Sequence, residues 1–184
     1  MKIDDNLNVV IPLRSDDKGV KLYAYHTPIP KEVFKANSIL LAATNTEIGR
    51  HGEYFQMGLG PRIATEILIK EAKKESQEAD AAALLNEIKR LTTVLVSTES
   101  GWEHMPVDAA IRAKKVEQEE WEEVESDLIF FTCHYFLVKL SGREKAMNAL
   151  MSLLQGLKTS STITAFINSL QTSTTIGLSE TKAA

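Results

Sequence analysis

"SDLIFFTCHYFLVKL", residues 126–140, is the densest apolar run in the chain, and it follows directly on the glutamate-rich "VEQEEWEEVE" of residues 116–125. At 3.6 residues per turn, Trp121, Val124, Leu128, Phe131, Tyr135 and Val138 fall three or four apart and make one stripe. Ile129, Phe130, Cys133, Phe136, Leu137 and Leu140 add a second apolar face to the later half. Glu117, Glu119, Glu120, Glu122, Glu123 and Glu125 cover the rest of the earlier half. The spacing therefore predicts one helix from about Val116 to Leu140, entering from solvent and ending inside the protein. Glutamates near a helix N-terminus suit the positive end of its dipole, by roughly 0.3–1 kcal/mol each before mutual repulsion is deducted. The acidic face reads first as a solvated surface and second as a docking strip for a basic partner.

The same stretch holds the chain's one cysteine beside a histidine. Neighbours on a helix point about 100° apart, so Cys133 and His134 do not pass a proton to each other. A nucleophilic cysteine needs a base within hydrogen-bond reach, so Cys133 reads as a small core residue. A single cysteine also rules out an internal disulfide and fits a reducing cytoplasm.

Outward from this helix, the N-terminal part alternates. Leu7, Val9, Ile11 and Leu13 share one face, and after the turn "SDDKG" come Val20, Leu22 and Ala24, with Tyr23 and Tyr25 opposite. A period of two with a Gly/Asp turn predicts a β-hairpin over residues 6–28. Pro12 cannot donate to a ladder, which makes the first strand an edge. Helices follow over residues 30–156, opened by Pro30, Pro61 and Pro106. "AAALLNEIKRLTTVLV" reads as one helix, with Leu84, Leu85, Ile88, Leu91 and Leu95 on a stripe. A glycine-rich link, "GRHGEYFQMGLGP", separates two of these helices. Residues 156–184 carry twelve Ser or Thr among 29 residues and three charged ones. The expected organisation is one α+β domain, residues 1–156, mainly helical, with a flexible Ser/Thr-rich tail over 157–184. Phe166, Ile167 and Leu170 make a small apolar cluster in that tail, suited to docking on the domain or on a partner.

The chain's 184 residues are 43% hydrophobic and 25% charged, with a formal net charge of −4. That balance is globular, and scattered basic residues argue against nucleic acid as a partner. The apolar runs are too short and too interrupted to span a membrane, and "MKIDDNLNVV" has acids where an export signal would be apolar. His26, His51, His104 and His134 lack metal-ligand spacing. "GLGPRIATE" resembles an anion-holding glycine loop with Arg62 at hand, but it matches neither the dinucleotide nor the phosphate-loop pattern and reads as a joint before a helix. No catalytic, cofactor or metal residue is selected, although scattered acids and histidines leave a small enzyme as a third reading. Trp102 and Met105, in the expected loop "GWEHMPVDAAI", are partner anchors if exposed and loop pins if not.

The blocks "YAYHTPIPKEVF", "GPRIA", "ALLNEIKRLTTVL", "GWEHMPVDAAI" and "DLIFFTCHYF", in this order and followed by a Ser/Thr-rich end, resemble a group of small tailed-bacteriophage proteins described as tail assembly chaperones. The similarity covers most of residues 10–155. It implies a non-catalytic protein of the host cytoplasm that coats the tape measure protein and recruits tail-tube subunits around it, needing no cofactor. A structural virion protein, a tail-completion or head–tail connector component, is the alternative. Trp102, Met105, Glu117, Glu119, Glu120, Glu122, Glu123 and Glu125 are then the candidate partner-binding residues. The oligomeric state stays open, a homo-oligomer included.

Overall fold

The computed structural model describes residues 7–17, 19–50, 59–137 and 140–170. Strands β1 (Asn8–Asp16) and β2 (Gly19–His26) form the expected hairpin. Helices α1 (Lys31–Ala36), α2 (Ser38–Arg50), α3 (Leu59–Lys74) and α4 (Glu78–Arg90) follow. A second hairpin comes next, β3 (Thr92–Thr98) and β4 (Gly101–Pro106), then α5 (Val107–Arg112) and the long α6 (Gln118–Leu137). The chain closes its described part with α7 (Arg143–Leu153), β5 (Leu157–Thr159) and α8, helical over 163–170. The fold is α+β. Residues 51–58 of the glycine-rich link, and His51 with them, lie outside the described residues, as does 171–184.

The five strands make one antiparallel sheet in the order β5–β1–β2–β3–β4. One face carries Val9, Ile11, Leu22, Ala24, Val94 and Val96 into the main core. There α6 is the central helix. Trp121, Val124, Leu128, Ile129, Phe130, Phe131 and Cys133 are all buried, as the two apolar faces predicted. Val138 is outside the described residues, and so are the side chains of Phe136, Leu137 and Leu140. The helix starts cleanly because Glu120 folds back to accept the Glu117 N–H at 2.9 Å, half of a capping box. Its packing partner α3 comes close because of Gly60. A methyl there would sit 3.1 Å from the Phe130 ring and 3.3 Å from Ile48. The glycine of "GLGP" thus serves helix contact, not an anion cradle.

Four expectations need correction. The stretch read as one helix through Leu95 breaks at Leu91. β-branched Thr92, Thr93, Val94 and Val96 prefer the pleated surface beside β2, and Leu95 points to the opposite side from the helical stripe. Trp102 and Met105 accordingly sit on a strand and not in a loop. The domain does not stop at 156 either. Leu157–Thr159 pair with Asn8–Val10, and α8 buries Phe166 and Ile167 against the sheet. The sparse apolar content of this segment is concentrated on one small stripe, which composition averaged away. β1 is consequently an inner strand over Asn8–Val10 and an edge only beyond, at Pro12, where β5 has ended and the register slips.

Candidate functional site

The residues singled out for partner binding do not form one surface. Trp102 and Met105 are three apart on a strand, so they face opposite sides. Trp102 is half-buried beside Tyr23, ring centroids 5.5 Å apart, while Met105 packs on the main core. Within the glutamate run, Glu120 is engaged by Arg14 of β1 through two hydrogen bonds of 2.9 and 2.7 Å. Its carboxyl is held below its ordinary value by that guanidinium and the Glu117 N–H, against the opposing effect of burial. Glu125 accepts the indole N–H of Trp121 at 3.1 Å, and burial raises its carboxyl. Glu117 opens the helix. Glu119, Glu122 and Glu123 remain exposed and share one side of α6, with Glu122 accepting from Gln118. Four of the six, Glu117 included, thus stay exposed, and three of these make the strip along one side of α6.

Cys133 is fully buried, and burial pushes its thiol up to about 12. The His134 ring lies 4.2 Å from that of Phe130 between centroids, and Nδ1 donates to the Phe130 carbonyl at 2.8 Å. The two side chains thus have separate structural tasks. His26 is completely buried, with Nδ1 2.9 Å from the Thr92 hydroxyl, whose own proton goes to the Ile88 carbonyl at 2.8 Å. Nδ1 then donates and Nε2 is left without a proton or a partner among the described residues. Burial lowers this imidazole to about 3.

One polar constellation was missed. Between β1, the start of α3, α6 and the end of α7 lies an open cavity of roughly 430 Å3, walled by Ile11, Pro12, Leu153 and Leu154. Arg62, Glu123, Asp127 and Gln155 bring polar groups to it. Burial, reinforced by Glu123 one turn away, raises the Asp127 carboxyl to about 7, with Arg62 pulling the other way. Such a group exchanges a proton near neutrality and attracts a cation when ionised. A signal existed in the sequence: Asp127 is the one acid placed where the glutamate face gives way to the apolar one. Gln155 adds backbone strain at the rim, with φ of 50°. Glycine is the usual residue there, but the glycine is one place later. Gly156 must pass 3.1 Å from the Val10 carbonyl, measured from a methyl built on it, so it serves close approach to β1 instead.

A second cavity, about 360 Å3, lies at the sheet end under the segment leading into α8, lined by Asn8, Tyr25, Thr93 and the hydroxyls of 160–162. Among the described residues no group of three or more His, Cys, Asp or Glu is placed to hold a metal, and no helix is long and apolar enough to cross a membrane. Comparisons with protein-family models, with curated proteins and with solved structures gave no match to this chain.

Proposed function

We propose that this chain is a non-catalytic binding protein of the phage tail assembly chaperone type, which holds a tape measure protein and helps recruit tail-tube subunits in the host cytoplasm. One observation carries the reading: the five sequence blocks that resemble that group fall on β2–α1, α3, α4–β3, β4–α5 and α6, so the likeness spans the architecture and is not a single shared loop. The exposed glutamates Glu119, Glu122 and Glu123 supply a small acidic strip able to steer basic flanks of a client. Coexpression with the tape measure protein of the same genome tests it. A soluble complex, together with absence of this chain from purified particles, supports the chaperone. An insoluble tape measure overturns it, and presence in particles favours a structural virion component.

A second reading, an enzyme, has one observation in its favour: a carboxyl near pKa 7 beside a second carboxylate in a cavity. It requires Asp127 for activity. If Asp127→Asn supports tail assembly as well as the wild type does, this reading fails.

A further inference from the structure

We propose that the cavity between β1, α3, α6 and the end of α7 is a binding site for an alkylammonium group, whose aliphatic stem lies along the apolar walls and whose head is held by Asp127 and Glu123. This goes beyond the tail-assembly reading and does not rest on it.

The cavity exists because β5 is short. β5 pairs with β1 only over Asn8–Val10, and the next two residues of β1, Ile11 and Pro12, form a wall of the cavity. Proline suits this wall, because it brings no N–H that would need a partner there. Leu153 and Leu154 add aliphatic surface from the end of α7.

The polar groups decide the sign of the ligand. From α6 come Glu123 and Asp127, four positions apart and so on one side of the helix, with roughly 5–6 Å between their Cβ atoms. α3 contributes Arg62 and the end of α7 contributes Gln155, while the lining residues of β1 do not ionise. Two carboxylates against one guanidinium leave an excess of one negative charge when Asp127 is ionised. The side chains of Asp127, Glu123 and Arg62 make no hydrogen bond or ion pair with one another or with any other described residue. The Asp127 carboxyl is thus largely withdrawn from water while no described group donates to it, which favours its protonated form and sets it near 7.

An ammonium supplies what this carboxyl lacks, a positive charge and three N–H donors. Its tetrahedral head suits acceptors that come from two elements, the carboxylates of α6 and the side-chain carbonyl of Gln155. A guanidinium fork asks instead for two acceptors in one plane. A bare divalent cation gains nothing from the aliphatic walls and takes about six or more oxygens, and an anion would meet both carboxylates. The empty site holds a proton on Asp127 near neutrality. The incoming ammonium displaces that proton to solvent, so proton and ligand compete for one carboxylate.

The probes are Nα-acetyl-lysine methylamide and spermidine, each titrated onto the full, isotope-labelled chain and followed by amide shifts. At pH 8, saturable shifts are expected at Ile11, Arg62, Asp127 and Gln155. Affinity is expected to be about tenfold lower at pH 6, since the ionised fraction of a carboxyl titrating near 7 falls by that factor. Asp127→Asn should weaken binding roughly tenfold at pH 8 and remove the pH dependence. Glu123→Gln, at an exposed position, should weaken it roughly threefold and leave the pH dependence in place. Should Asp127→Asn not fold, Glu123→Gln and the wild-type pH dependence decide the matter. No saturable shift with either amine at pH 8, equal affinity at both pH values, or equally tight binding of n-pentanol overturns the proposal, as does a calcium ion that binds more tightly than either amine. Tighter binding of the lysine derivative assigns the site to a side chain of a partner protein, and tighter binding of spermidine assigns it to a free polyamine. Failure of these probes leaves the tail-assembly reading standing, and failure of coexpression leaves this site standing.

Discussion

Val9, Ile11, Leu22, Ala24, Val94 and Val96 leave one side of the sheet for a core with α6 at its centre, whereas Val10, Tyr25 and Leu95 leave the other side for two turns of α8. The strands contribute to both sides, since a pleated strand alternates, with six buried residues on the first and three on the second. The difference lies in what comes to meet them. On the first side Trp121, Leu128, Ile129, Phe130 and Phe131 are nearly or wholly inaccessible, along with Leu41, Ile48, Leu68, Leu84 and Ile88. On the second, Val10 and Leu95 of the sheet are wholly inaccessible as well, while the best-covered residues of α8 keep 8–9% of their surface. The lesson is that one sheet can carry two separate apolar clusters, a large one under several helices and a small one under a single short element.

Truncation should expose that contrast most strongly. Phe131→Ala removes a fully buried ring from the first side and is expected to cost about 3–5 kcal/mol in urea denaturation. A loss under 1 kcal/mol would mean that the main core relaxes around the hole and is not the rigid partner in the comparison.

Next in size are two opposed pH effects, both on the first side. Neutral His26 is the buried form. The unfolded chain takes up its proton below the ordinary value of 6.5 and the folded one only near 3, so the unfolded state holds more protons in between. Stability from this group therefore falls as pH drops from 6.5 toward 3. Asp127 runs the other way. Its folded carboxyl protonates near 7 and its unfolded one near 3.8, so the folded state holds more protons in that window and stability rises as pH falls through it. Each swing is worth about 2 kcal/mol between pH 7 and pH 5. The two nearly cancel in the wild type. Asp127→Asn should lose about 2 kcal/mol relative to wild type over that interval, and His26→Phe should gain about as much. Denaturation midpoints of the three proteins at both pH values provide the check, and parallel profiles would refute the assignment.

Phe166→Ala on the second side should cost less, about 1–2 kcal/mol, because the ring keeps 9% of its surface and packs in a small cluster edged by the half-buried Tyr23 and Trp102. Its diagnostic is spatial: lost exchange protection is confined to 157–170, whereas Phe131→Ala weakens every helix. Protection lost across α3 and α6 would make the two faces one cooperative unit. The smallest effect belongs to Gln155→Gly, expected to gain about 0.5–1 kcal/mol by relieving a left-handed backbone that a side chain disfavours. A loss instead would locate a needed contact at the Gln155 side chain, on the rim of the Asp127 cavity.

Patterns with one consistent period were legible in the residues. The alternation from Leu7 to Leu13 and from Val20 to Tyr25 predicted the first hairpin and its faces, and the stripe from Trp121 to Tyr135 predicted α6 and its buried side. Where two periods fit the same letters, the reading went wrong. Leu91 and Leu95 complete a helical stripe, and Thr92, Val94 and Val96 complete a strand. Only pairing with Leu22–His26 of β2 selects the strand. The candidate site was less legible still. Six glutamates look alike in one dimension, yet Arg14, 106 positions from Glu120, and Trp121 engage two of them, which are left half-buried.

Taken alone, the sequence determined the α+β class, the hairpin, the helical character between Pro30 and Arg90 and between Pro106 and Leu153, and Cys133 as a core residue, because these follow from spacing within a few turns. The tertiary structure decided that Leu157–Leu170 belongs to the fold, that Pro12 sits where β1 loses its second neighbour, and that Asp127 stands near neutrality. The reason is common to all three. Each depends on what arrives from a distant part of the chain: a short strand pairing with Asn8–Val10, a helix covering Tyr23 and Tyr25, or apolar walls that withdraw a carboxyl from water. Burial is a property of neighbours in space, and a local pattern carries it only when its own period already implies the neighbour.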